Sequence, residues 1–294
     1  MPSPSSDIRV RAVDLWSEGT RLAGDLYLPP AFDAAESRPA IVLCHGWGGM
    51  KEHLPRHGRA FAQAGYVTLA FDYRGWGESD GKLIPREPVP AQRIQTHLQV
   101  QVVREVVDPF DELWDVRHAI DFISGEPGVN PARIGLWGSS FGGGLVVWMA
   151  AHDDRVGCVV SQVGAQDGRA LGDADQDESR RIATAQARGD QPPIPQGEND
   201  TPGLNGAPHR SKMAYWAPVD SAEMIRVPVL LIDAEHEELM DRHRHSELVY
   251  KRMKAAAQAP VGYHVVERIS HYAIYDERFD EATGKAIAWF NQHL

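Results

Sequence analysis

Five short apolar runs set the strongest limit on how this chain folds. Residues 40–44, 66–71, 133–137, 157–163 and 227–232 are largely apolar without alternation. A strand with one face in water alternates polar and apolar residues, so a continuous run predicts a strand covered on both faces. Between the runs lie stretches of helical pattern at 54–64, 110–124, 141–152 and 242–257. A last strand over 262–268 precedes a helix near 278–294. Strands alternating with helices predict an α/β fold: a mostly parallel central sheet with helices on both faces. Ahead of it, 8–28 reads as an N-terminal hairpin turning at Ser17, Glu18 and Gly19.

Two stretches leave this rhythm. Residues 91–107 fit a strand or a helix equally. Residues 165–222 interrupt the alternation, and the nine Gly or Pro between 189 and 208 read as loop. A long insertion in a compact α/β domain is a lid or is disordered. Met213, Tyr215 and Trp216 near its end favour a lid packed on something. The expectation is one domain over 1–294 with 165–222 as an inserted lid or cap.

Composition narrows the partners. The 294 residues carry 30 Lys and Arg against 41 Asp and Glu, a net charge of −11. Nucleic acid needs a basic face, so none is expected, and no anionic membrane surface either. No apolar run approaches the roughly 20 residues of a membrane span. The start MPSPSSDIRV lacks the basic-then-apolar order of a signal peptide. Cys44 and Cys158 each sit in an apolar run and read as buried free thiols of a reducing compartment, hence a cytoplasmic expectation. The sequence leaves homo-oligomerisation open.

The chemistry centres on GLWGSSFGGG, residues 135–144. Gly138–Ser139–Ser140–Phe141–Gly142 fits G-x-S-x-G with Ser140 central, between a predicted strand and helix. Ser139 lacks that register, because Trp137 and Phe141 flank it. Small neighbours allow the close strand–helix approach, and a helix N-terminus favours developing negative charge. Ser140 is therefore the candidate nucleophile. The glycines of His45–Gly46–Trp47–Gly48–Gly49 let that loop double back, so the N–H groups of Trp47 and Phe141 are candidate oxyanion donors. His45 reads as a brace for the loop.

A serine hydroxyl needs a base. Thirteen histidines are present, so position decides, and His271 follows the last strand at the sheet edge where Ser140 sits. His243 and His245 read as solvated on a polar helix. His53 and His57 have i,i+4 spacing, but no carboxylate pattern supports a metal there, and no metal or cofactor is expected. The acid that orients the imidazole should follow the strand at 227–232, where the chain reads LIDAEHEELMD. Glu237 has the expected spacing, with Glu238 as the alternative. The order Ser140, Glu237, His271 is the one this architecture requires.

These residues together resemble the α/β-hydrolase superfamily, nearest its dienelactone-hydrolase and X-Pro-dipeptidyl-peptidase-like branch. The resemblance spans roughly 8–294. It rests on His45–Gly46–Trp47–Gly48–Gly49 with Lys51 and Glu52, on DYRGWGES at 72–79, on the serine pentapeptide, and on Ser270–His271–Tyr272 with Tyr275 and Asp276. It implies a serine hydrolase fold with Ser140 and His271 as nucleophile and base, and structural roles for Asp72 and Arg74. Glu in place of Asp at 237 and the long 165–222 segment depart from the pattern. The expected activity is hydrolysis of a carboxylic ester, lactone or thioester of a small molecule. Trp47, Met213, Tyr215 and Trp216 are candidate substrate contacts, pointing to an apolar or aromatic acyl group. Amide, peptide or carbon–carbon cleavage by the same residues is the alternative, and a non-catalytic binding protein on this scaffold is a further one.

Overall fold

The apolar runs become neighbouring strands of one sheet. The structure is a computed structural model that describes residues 7–171, 176–195 and 204–294. In chain order its elements are β1 Arg9–Ser17, β2 Thr20–Leu28, β3 Arg38–Cys44, α1 Pro55–Gln63, β4 Val67–Phe71, β5 Lys82–Pro85, β6 Val100–Val103, β7 Val106–Val107, α2 Pro109–Ser124 and β8 Val129–Ser139. There follow α3 Phe141–His152, β9 Val156–Gln162, α4 Gln176–Arg188, β10 Ala207–Pro208, α5 Arg210–Met213, β11 Val229–His236, α6 Ser246–Ala256, β12 Val261–Ser270 and α7 Phe279–His293. The main sheet has eight strands in the order β1-β2-β4-β3-β8-β9-β11-β12. The N-terminal hairpin joins it antiparallel through β2 and β4, and every pairing from β4 to β12 is parallel.

Successive strand residues point to opposite faces, and both faces of β3 are covered. Ala40, Val42 and Cys44 enter the same apolar layer as residues of α2, α3 and α6. Ile41 and Leu43 enter the layer shared with α1 and α7. That two-sided burial is why the runs are continuous rather than alternating. Helix α2 starts where Asp108 caps it, accepting from the N–H groups of Phe110 (3.1 Å) and Asp111 (3.2 Å), with Pro109 at the first position. Cys44 and Cys158 are both buried and free. Burial pushes each thiol up to about 12.

The two irregular stretches resolve differently. Within 91–107, β6 pairs antiparallel with β5 as an outlying arm, and β7 follows. That arm exposes Leu83, Val100 and Val102, so period-two alternation marked the strand without a buried face to anchor it. The 165–222 segment holds a helix the sequence did not announce, α4, whose QDESRRIATAQAR is charged and mostly exposed. Of the expected loop at 189–208, residues 196–203 lie outside the described residues, and Ala207–Pro208 pairs with Val106–Val107. The end of the segment is sewn into the body. Gly168 N–H donates to the Trp216 carbonyl (2.7 Å) and Val219 N–H to that of Gln166 (3.0 Å). Among the described residues, no helix is long and apolar enough to cross a membrane.

Candidate active site

Strand β8 runs straight into helix α3, and Ser140 is the residue at the turn. Its backbone sits at φ 55°, ψ −121°, a conformation L-residues avoid. Such strain costs about 1–3 kcal/mol and persists only where the surroundings over-determine it. Here Ser140 N–H donates to the Gln162 carbonyl (2.9 Å), while the Ser140 carbonyl accepts from Gly143 N–H and Ala165 N–H (2.9 Å each). Two glycines allow the packing. A Cβ on Gly142 would collide with the carbonyl oxygens of Cys44 and His45. A Cβ on Gly46 would lie 2.8 Å from Ser140 Cβ. The loop after β3 therefore presses directly against the serine. Ser140 itself stays partly exposed.

Phe141 N–H is the first in α3 and has no intrahelical partner. Among the described residues, neither it nor Trp47 N–H has a backbone acceptor. The two side chains touch edge to face, with centroids 5.9 Å apart, and Trp47 Nε1 donates to the Asn205 carbonyl (3.0 Å). The Trp47 side chain is thus tied to both α3 and the 165–222 segment. His45 is buried, with its ring 4.1 Å from that of Tyr73 and Nδ1 3.1 Å from the Gly46 carbonyl. Burial lowers it to about 4, so it is neutral near pH 7 and braces the loop.

Beyond β12, His271 is buried, and its Nδ1 faces both Glu237 oxygens at 2.9 and 2.8 Å. Glu237 is almost fully enclosed as well. A carboxylate only accepts, so the Nδ1 that faces it carries the proton. Glu238 makes a different contact, accepting from His271 backbone N–H at 2.8 Å. The alternative acid thus holds the loop, and Glu237 holds the ring. Among the described residues, Ser140 Oγ makes no hydrogen bond to His271, a contact that commonly tightens only with substrate bound. Asp233, at the end of the predicted strand, lies inside β11 and accepts from Tyr263 OH (2.9 Å). Burial raises its carboxyl to about 7.

Other predicted residues divide. Trp216 is buried against Phe141 (centroids 4.3 Å) and against the position a Cβ on Gly144 would take. Met213 joins the same core layer. Tyr215 stands in solvent at 66% exposure. Of the four expected substrate contacts, then, Trp47 alone stands in the loop after β3 that packs against Ser140. Trp216 and Met213 are both buried in the apolar layer that also holds residues of α3. His243 is exposed as expected, but His245 is a correction. It is buried ahead of α6, and its Nδ1 accepts from Gln166 N–H (2.8 Å). The polar sequence around it hid that inward position. His57 packs between Trp137 and Phe279 (4.3 and 4.6 Å), while His53 Nδ1 accepts from Met50 N–H (3.1 Å). Asp72 accepts from Lys51 N–H (2.7 Å) and Glu78 N–H (3.0 Å), and Arg74 Nε and Nη2 both donate to one oxygen of buried Asp115 (2.9 and 2.7 Å). Both serve the loop after β4.

Sequence reasoning missed Tyr275, whose hydroxyl meets Ser139 Oγ at 2.8 Å. It stood among the quoted motif residues without a role. A cavity of about 260 Å³ lies elsewhere, between the β5–β6 arm, the start of α2 and α5, and none of the predicted catalytic or oxyanion residues lines it.

The elbow, the parallel sheet and the order of the candidate residues define an α/β-hydrolase architecture. A family model for the alpha/beta hydrolase fold matches residues 39–196, more than half of the chain, and the chain belongs to that family. An uncharacterized 31.7 kDa protein of Escherichia coli is 38% identical over 146 residues, 49% of this chain and 44% of that protein. Thiohydrolase aneE of Aspergillus aculeatus is 32% identical over 145 residues, 49% of this chain and 38% of that protein. The matches span less than half the length of these two relatives. The crystal structure of a hypothetical protein from Pseudomonas aeruginosa superimposes with a TM-score of 0.69 at 25% identity, covering 99% of this chain and 95% of that one.

Proposed function

We propose that the protein is a serine hydrolase cleaving a carboxylic ester or thioester of a small molecule through an acyl-enzyme on Ser140. The observation that carries the reading is Ser140 itself, held at φ 55° at the N-terminus of α3 beside the unpaired N–H groups of Trp47 and Phe141. His271 Nε2 takes the proton of Ser140 Oγ as the oxygen attacks the carbonyl carbon. The two N–H groups hold the oxyanion, each worth roughly 3–4 kcal/mol in the transition state. His271 returns the proton to the departing oxygen or sulfur, and a water then repeats the sequence on the acyl-enzyme. Glu237 accepts from Nδ1–H and stabilises the imidazolium that forms. Thioester cleavage draws support from the thiohydrolase name of one relative. The 165–222 segment acts as the cap, with Asn205 against Trp47, and Trp47 meets an apolar acyl group. Buried free thiols fit a reducing compartment such as the cytoplasm.

The test is active-site labelling. A fluorophosphonate should add to Ser140, located by peptide mass spectrometry, and Ser140→Ala should abolish turnover of p-nitrophenyl esters and acyl thioesters. Label on Ser139, or no label, overturns the assignment.

A further inference from the structure

The candidate nucleophile and base lie on different elements, and something must hold their loops together. Glu237 and Glu238 bind His271 from the end of β11, so neither ties it to the serine. Among the described residues, the side-chain hydrogen bond joining the two loops is Tyr275 OH to Ser139 Oγ, 2.8 Å long. Tyr275 closes the short helical turn that begins right after His271, and its ring centroid is 6.1 Å from the imidazole. Ser139 immediately precedes Ser140.

The link continues past Ser139. Gln162 Nε2 donates to Ser139 Oγ (3.3 Å), and the Gln162 carbonyl lies 3.3 Å from the same hydroxyl. That carbonyl also accepts from Ser140 N–H (2.9 Å). Tyr275, Ser139, Gln162 and the Ser140 backbone thus form one continuous chain of hydrogen bonds. Partial burial holds the phenol above its ordinary pKa, so it stays protonated and able to donate.

We propose that Tyr275 and Ser139 are positioning residues that staple the His271 loop to the Ser140 elbow. The proposal rests on the serine mechanism above and touches no substrate. A misplacement of about 1 Å at the reacting atoms costs up to ~100-fold in rate, and the link is the contact that sets this spacing. Ser139 thereby gains a role beyond being small enough for the turn.

The experiment compares Tyr275→Phe, Ser139→Ala, the double variant and Ser140→Ala. It measures kcat and KM with p-nitrophenyl acetate, fluorophosphonate labelling rate and Tm. Each single variant should lower kcat and labelling rate by about tenfold or more, with KM within about twofold and Tm within a few degrees. The double variant should be no slower than the worse single, because both remove one link. Wild-type kcat in Tyr275→Phe with Ser140→Ala inactive would overturn the staple alone. So would single effects that multiply in the double variant, or a rate loss matched by a large fall in Tm. Full turnover in Ser140→Ala would instead overturn the serine mechanism, and the staple's role with it.

Discussion

Ser140 occupies backbone space that glycine visits freely and serine does not. Its neighbours hold it there, and the sequence announced that through the register of its glycines. The acid was harder to read, because Glu237 and Glu238 are adjacent and chemically alike. Geometry separates them: one carboxylate is on the imidazole, the other on its backbone N–H. Glu237→Gln should lower kcat by about 10³–10⁴-fold with little change in KM, since an amide favours the wrong imidazole tautomer. Glu238→Gln keeps an oxygen for His271 N–H and should cost about tenfold or less. Steady-state kinetics with one ester decides this, and the reverse ranking would transfer the role to Glu238. His245 and Trp216 show the limit of reading residues singly. A polar neighbourhood concealed a buried histidine, and an aromatic near a presumed lid proved to be core.

At the scale of elements, α3 is nearly all buried, so its glycines are packing sites. A Cβ on Gly144 would run into the Ala165 carbonyl and the Trp216 ring. Gly284, exposed on α7, has nothing within 4 Å of that position. Gly144→Ala should destabilise by roughly 1–3 kcal/mol through overpacking. Gly284→Ala should stabilise by about 0.5–1 kcal/mol through helix propensity. Urea unfolding midpoints test the pair, and shifts in the same direction would refute the packing account. Elements buried on both faces were legible because their pattern is set by the sheet. α4 and the β5–β6 arm were not, because little apolar burial fixes their type.

Across the whole molecule, buried ionisable groups of opposite tendency share the core. Burial lowers His45 to about 4 and His57 to about 3. The unfolded chain protonates them below about 6.5, so stability falls as pH drops through that value. Asp233 moves the other way. Raised to about 7 from 3.8, it binds a proton in the folded state that the unfolded chain has released, so stability falls as pH rises between those values. Asp233→Asn keeps an acceptor for Tyr263 and removes that opposition. Its stability should match wild type near pH 4 and exceed it above pH 7, with a slope steeper by about 1 kcal/mol per pH unit between. Denaturant unfolding at several pH values measures this, and a parallel pair of curves would refute it. The sequence by itself determined the parallel sheet and the elbow serine, and it put His271 at the same sheet edge. Each of these rests on local pattern: apolar runs, glycine register and chain order. The tertiary structure decided which glutamate meets the imidazole, which aromatics are core, and that Tyr275 reaches Ser139. Those depend on where loops far apart in the chain are brought together, and local pattern carries no record of such distances.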